Sequence, residues 1–328
     1  MGRFWGAASG DRFRFVLAPI GLSVAFDAAW IKVADAASMA SMDAKKKTIL
    51  VTGANAGIGL ALVKLLVQDH GCRVFLGSRS VERGEAALKE IVAAVPEAAK
   101  LVEVLEIDVG SDASVAAAAA SVKAKGVTLY ALVNNAGCGL AQKGVRGTPE
   151  IMNTNYAGPK RVSEAFLPLI DPAVGRIVNT SSGAASMWLK KQKPETKKLY
   201  SDPMLTQEAL DASLEAEIAA GNVGFGDGYG LSKAALTAYT LIQARLYPNL
   251  KCVSLSPGFI ATAMTKGYGA KLSPEQGCKS SIKCIFEPVT SGYYYGSDGL
   301  RSPLTMTRDP GTPEYEGEDD PDAAKYNK

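Results

Sequence analysis

From Thr48 onward, short runs of aliphatic and β-branched residues alternate with longer stretches whose apolar positions recur at helical spacing. Short apolar runs bounded by turn residues predict strands, and i, i+3, i+4 recurrence predicts helices. Strands are expected at Thr48–Thr52, Arg73–Leu76, Leu101–Ile107, Leu129–Val133 and Cys252–Ser256, with another opening at Arg176–Asn179 and a late one at Tyr293–Tyr295. Helices are expected at Ile58–Gln68, Val81–Val95, Ala113–Lys123, within Pro149–Leu169 and at Tyr229–Tyr247. The alternation predicts an α/β fold. It is a single Rossmann-like, doubly wound domain with a mainly parallel seven-stranded sheet, and ligands bind at the carboxyl ends of its strands.

Two stretches break the rhythm. Residues 183–228 form an insertion before Tyr229, rich in lysine, with Leu210, Leu214 and Ile218 at i, i+4 and i+8 predicting a helical segment. After Ser302 the chain turns Pro-, Asp- and Glu-rich, so residues 303–328 read as an acidic, exposed and loose tail. Residues 46–302 are then the folded domain. The first 45 residues carry Arg3, Arg12 and Arg14 and an apolar stretch from Phe15 to Phe26. That stretch is too short to span a bilayer, which needs roughly 20 apolar residues. Three readings stay open: an organelle-targeting segment for plastid or mitochondrion, a signal-peptide-like core, or sequence upstream of a start at Met42.

Composition narrows the function. The 328 residues are 47% hydrophobic and 21% charged, enough to build a sizeable core. A net charge of +3 is too small to point to nucleic acid or a membrane surface, and no integral membrane span is expected. Cys72, Cys138, Cys252, Cys278 and Cys284 have no metal-ligand spacing, and His70 is the single histidine, so no metal site is expected. Free thiols suit a reducing compartment, which makes the cytoplasm the expected location unless the first 45 residues direct the chain elsewhere.

Thr52-Gly53-Ala54-Asn55-Ala56-Gly57-Ile58-Gly59 follows the first strand and opens a helix. Glycines there let the backbone turn sharply and approach a pyrophosphate, while the helix N-terminus offers free N–H groups. A glycine-rich turn with no ligand is the competing reading. About 20 residues on, NAD binders place an acid for the ribose 2′-hydroxyl. This chain instead reads Leu76-Gly77-Ser78-Arg79. Arg79 can clamp a 2′-phosphate that a carboxylate would repel, and Ser78 can donate to it, so NADP(H) is the expected cofactor.

Tyr-x-x-x-Lys on a helix puts both side chains on one face. A free tyrosine, with a pKa of about 10, is a poor acid at neutral pH, and a nearby ammonium favours its phenolate. The spacing occurs at Tyr156/Lys160, Tyr229/Lys233 and Tyr247/Lys251. Gly158-Pro159 and Pro248 break the first and third, leaving Tyr229 and Lys233. Ile177 to Gly183 ends a strand with Ser181-Ser182, and either hydroxyl could hold a substrate carbonyl oxygen against the tyrosine.

In this order along the chain, these elements resemble the short-chain dehydrogenase/reductase family from about Thr48 to Leu300. The spacing G-x-x-x-G-x-G looks like that family's glycine motif. The resemblance favours Ser182 of the two serines. It implies that Asp108-Val109 border the adenine and that Asn134-Asn135-Ala136-Gly137 lies along the cofactor. It further implies that Asn155, in preference to Asn153, holds a water serving Lys233. Pro257-Gly258 would form the turn over the nicotinamide, with Thr262 on its carboxamide. The predicted catalytic set is thus Asn155, Ser182, Tyr229 and Lys233. The predicted cofactor contacts are Gly53, Asn55, Gly57, Ile58, Gly59, Ser78, Arg79, Asp108, Val109, Asn135, Ala136, Gly137, Pro257, Gly258 and Thr262, with Tyr229 and Lys233. Within the family, the long gap from Ser182 to Tyr229 looks like the carbonyl-reductase type. The resemblance to that type implies an insertion covering the face that other members use to pair, hence a monomer. Ala56 stands where carbonyl reductases usually carry a basic residue, which leaves Arg79 more of the phosphate. The expected reaction is NADPH-dependent reduction of a small ketone or aldehyde to an alcohol. Alternatives are alcohol or hydroxysteroid oxidation on the same residues and a non-enzymatic NADP(H)-sensing protein.

Overall fold

The computed structural model describes residues 47–139, 142, 144–304, 308 and 310–317. The expected N-terminal extension of residues 1–45 lies outside them, as do residues 318–328 of the expected tail.

The sheet begins with β1 (Thr48–Val51), a run of four buried residues whose side chains alternate between its faces. Ile49 and Val51 join a core with the helices α1 (Gly57–Gln68) and α2 (Val81–Ala94), whereas Leu50 joins the core on the other face. β2 (Arg73–Ser78) lies beside β1, and β3 (Val102–Glu106), preceded by the short α3 (Ala98–Leu101), lies outside β2. The chain then crosses back through α4 (Asp112–Ala124) to β4 (Ala131–Asn134) on the other side of β1. β5 (Arg176–Thr180) and β6 (Lys251–Leu255) continue outward in parallel register. The reversal of strand order between β1 and β4 opens the crevice in which doubly wound sheets bind ligands.

The sheet has one strand more than the sequence pattern suggests. β7 (Tyr294–Tyr295) is parallel to β6, and β8 (Arg301–Ser302) returns antiparallel to it, giving eight strands among the described residues. A two-residue strand leaves no readable alternation, which is why β8 has no signature in the sequence. The described part of the segment after Ser302 is also held rather than loose. Leu304 and Tyr315 are buried, the backbone N–H of Arg301 donates to Glu314, and Arg308 pairs with Asp298.

The stretch expected as a long helix between Pro149 and Leu169 is composite. A short α5 (Thr148–Met152) runs into a π turn at Asn153–Ala157, then α6 (Gly158–Phe166), then a 3-10 turn at Leu167–Leu169. The insertion folds as α7 (Gly183–Lys190), α8 (Pro194–Ser201) and α9 (Gln207–Ala219). It builds a core of its own in which Trp188, Tyr200, Leu210 and Leu214 pack with Leu231, Leu236 and Tyr239 of α10 (Tyr229–Leu246). Ile218, the third member of the expected stripe, is exposed. α11 (Lys279–Phe286) completes the first face. No helix among the described residues is long and apolar enough to cross a membrane.

Candidate active site

A cleft of about 340 Å³ opens where the strands end. Gly53 and Asn55 after β1, Arg79 after β2, Asp108 and Val109 after β3, and Asn135, Ala136 and Gly137 after β4 line one part of it. Tyr229, Lys233, Pro257 and Thr262 line the other, with Thr180 and Ser181 from the end of β5.

The glycine turn is shaped by contacts within the protein as well as by what it must leave open. Gly53 has φ 62°, and a Cβ there would meet the Cα of Ala136 at 2.7 Å. Gly57 also has positive φ and faces Thr262. Gly59 permits a close approach instead, since a Cβ would lie 2.5 Å from Asn135 Nδ2 and 2.6 Å from the Gly53 oxygen. Its missing side chain lets α1 press against the end of β4, and the Asn135 amide then donates to the carbonyls of Thr52 and Gly53. Thr52, to which the motif spacing assigns no part, accepts the N–H groups of Asn135 and Ala136 on its hydroxyl and so ties the two turns together. No side chain caps the N-terminus of α1, and no acid stands in its first turn. Ile58 and Gly59 line the cleft with backbone N–H groups that lack intrahelical partners, which fits a pyrophosphate.

At the end of β2, Arg79 lines the cleft and Ser78 does not. Ser78 is fully buried and its hydroxyl donates to the Ser80 carbonyl, so the expectation that it helps bind a phosphate is corrected. Arg83 takes its place. It lies in the first turn of α2, four residues beyond Arg79, and lines the same end of the cleft. Asp108 accepts the Gly110 N–H, which shapes the turn after β3. Gly258 does not line the cleft either; it turns the chain with φ 93° beside Ser297 and leaves Pro257 as the wall.

The two asparagines of the π turn separate cleanly. Asn153 bonds outward, donating to Gly110 and accepting from Arg161. Asn155 is fully buried, accepting the Cys138 N–H at 2.8 Å and donating to the Cys138 carbonyl at 2.9 Å and Ser232 Oγ at 3.1 Å. A Cβ on Gly137 would sit 3.3 Å from Asn155 Oδ1 and 3.5 Å from Lys233 Nζ, so the glycine keeps the space between amide and ammonium clear. Ser232, another residue with no signal in the spacing, donates to the Tyr229 carbonyl and fixes the first turn of α10.

The serine pair also separates. Ser181 Oγ is engaged inside the protein with the Lys233 carbonyl and Thr237. Ser182 opens α7, accepts the Ala184 N–H on its hydroxyl and stands beside the Tyr229 phenol, while the cleft itself is lined by Thr180 and Ser181 rather than by Ser182. Lys233 donates to the Thr180 carbonyl at 2.7 Å and lies 5.9 Å from the centre of the Tyr229 ring. Burial pushes the Tyr229 phenol up to about 12, against the lowering effect of the Ser182 hydroxyl beside it. Burial likewise pulls Lys233 down to about 8. The expectation that the ammonium brings the phenol down is not met here: desolvation of the phenolate is the larger effect, and Ser182 is the group opposing it. Cys138 lines the cleft with its thiol raised by burial, which suits an unreactive side chain. The remaining Tyr-x-x-x-Lys pairs stand elsewhere. Tyr156 and Lys160 turn to Asp211, and Tyr247 ends α10 while Lys251 opens β6.

The sequence model of the family described as short chain dehydrogenase matches residues 47–194. Short-chain dehydrogenase/reductase 1 of Saponaria officinalis is 33% identical over 79% of this chain and 97% of its own length. Carbonyl reductase 1 (NADPH) of Homo sapiens is 31% identical over 73% of this chain and 90% of its own. Among solved structures, salutaridine reductase from Papaver somniferum superposes with a TM-score of 0.66 at 27% identity, covering 76% of this chain and 99% of that one.

Proposed function

The chain belongs to the short-chain dehydrogenase/reductase family of oxidoreductases, and from that premise we propose that it reduces a ketone or aldehyde to an alcohol with NADPH, Tyr229 giving the proton. When bound, NADPH supplies the hydride that reaches the carbonyl carbon. The protein supplies position and charge. Ser182 and Tyr229, side by side, converge on the carbonyl oxygen, and the phenol proton passes to that oxygen as negative charge develops there. Lys233 stands close enough to stabilise the phenolate that remains and to hold the nicotinamide ribose, and Asn155 keeps the route by which the phenol is reprotonated.

The observation that carries the reading is that Tyr229 and Lys233 line one cleft, with Ser182 next to the phenol. Arg79 and Arg83 at the adenosine end support NADP(H), and the human relative carries NADPH in its name. At the other end, Phe225 and Tyr268, both exposed, meet edge to face with ring centres 6.1 Å apart. They lie four residues before Tyr229 and four after the cleft-lining Met264, outside the cleft lining itself, and we read them as an apolar rim that a carbonyl substrate would pass. Five free thiols suit a reducing compartment such as the cytoplasm.

The test is Tyr229→Phe, assayed against a panel of aldehydes, ketones and quinones at the nicotinamide absorbance. The variant should bind NADPH within a few-fold of the parent and lose turnover by about 100-fold or more. Turnover equal to the parent's would overturn the assignment.

A further inference from the structure

We propose that Tyr156 is a positioning residue, its hydroxyl clasping the inserted helix α9 and thereby fixing the π turn that aims Asn155 into the active site. The inference rests on the catalytic part proposed for Asn155.

Tyr156 and Asn155 are successive residues of the turn Asn153–Ala157 and point to opposite sides of it. On the inner side lie the three bonds from Asn155 to Cys138 and Ser232. On the outer side the Tyr156 hydroxyl donates to Asp211 Oδ1 at 2.7 Å and accepts from Gln207 Nε2 at 2.6 Å. Gln207 also donates to Asp211, and Lys160 Nζ lies 3.8 Å from its other oxygen. Asp211 and Gln207 belong to α9, so the contact joins the insertion to the turn. The Tyr156 ring meets Tyr239 edge to face at 6.2 Å, which braces the same turn against α10, the helix carrying Tyr229 and Lys233. Burial, with Asp211 beside it, pushes the Tyr156 phenol far up, so it remains the donor.

A π turn has poorer internal bonding than an α-helix and persists where its surroundings hold it. Here it is held on both sides. The residue pair Tyr156/Lys160, which shares its spacing with the catalytic pair, therefore has a purpose away from the cleft: both side chains grip one carboxylate of the insertion. The insertion thus supports the catalytic assembly rather than merely covering it.

The test compares Tyr156→Phe, Asp211→Ala and Asp211→Glu in the full chain. Turnover with saturating NADPH and a carbonyl substrate is measured well below every variant's melting temperature. Tyr156→Phe and Asp211→Ala should lower kcat by roughly three- to tenfold and raise the solvent deuterium isotope effect on it, with KM for NADPH unchanged. Asp211→Glu, which keeps the acceptor, should recover most of the loss. Ile91→Val, a core truncation on α2, lowers stability and should keep kcat. A kcat in both clasp variants within about 1.5-fold of the parent's sinks the proposal, as does an equal kcat loss in Ile91→Val. If Tyr156→Phe fails to fold, Asp211→Ala removes the acceptor of the same bond at a partly exposed residue and decides alone. Unimpaired turnover in Asn155→Ala would instead remove the premise.

Discussion

Lys233 is almost fully buried and donates to the Thr180 carbonyl, and so the fold bears a cost for keeping it charged. Burial brings its ammonium from an ordinary 10.5 down to about 8. That difference corresponds to about 3 kcal/mol against the folded state wherever both folded and unfolded chains are protonated. Below pH 8 the whole cost is present. Between about 8 and 10.5 the unfolded chain holds the proton and the folded chain does not, so the stability contribution rises with pH. Above 10.5 both are neutral and the cost is gone. Lys233→Met keeps the stem and removes the charge, at the expense of about 1 kcal/mol for a carbonyl left without its donor. The variant should therefore be more stable than the parent by about 2 kcal/mol at pH 7, with the advantage gone by about pH 10. Urea denaturation of both proteins at about pH 7, 8.5 and 10 measures it, and the same preparations should show turnover reduced by at least about 100-fold. A variant no more stable than the parent at neutral pH, or a gap that ignores pH, would refute the reasoning.

Arg79→Ala and Arg83→Ala should each raise the Kd for NADPH by about tenfold or more while changing that for NADH little, read by quenching of protein fluorescence. Gly59→Ala pushes a methyl group into Asn135 and the Gly53 carbonyl; it should cost about 2 kcal/mol or more in denaturant unfolding and weaken both cofactors alike. If the ring pair is the rim of the substrate path, Phe225→Ala should raise KM for an aromatic ketone by about fivefold and leave KM for a small aliphatic aldehyde unchanged. Ser182→Ala should cut kcat by about 100-fold with NADPH binding intact, whereas Ser181→Ala, which loses bonds to Lys233 and Thr237, should act mainly on stability.

What is legible in this sequence is what is local. The glycine turn and the unbroken Tyr229-to-Lys233 stretch declare themselves because strand, turn and helix lie within a few residues of each other. Ser78 has the look of a phosphate ligand, yet its hydroxyl is satisfied two residues on, by a turn whose geometry no pattern encodes. Arg83 gives no sequence signal because its approach to Arg79 depends on the helical phase set by the Ser80 cap. Ser181 and Ser182 are adjacent and chemically alike; only the packing of Thr237 and Lys233 behind the first decides between them. The composite helix hides itself because its apolar residues keep a nearly helical period through the π turn, and the phenol's upward shift depends on burial that distant segments create.

The extra residue in that turn also sets an angular relation. Each residue of an α-helix advances about 100° around the axis. Deleting one residue between Asn153 and Ala157 would restore regular bonding and rotate one flank against the other by that amount. Either Asn155 would then swing away from Cys138, or Val162 and Phe166, both fully buried, would be carried out of the core. The irregular turn is what allows one continuous stretch of chain to face the chemistry at one end and the sheet at the other.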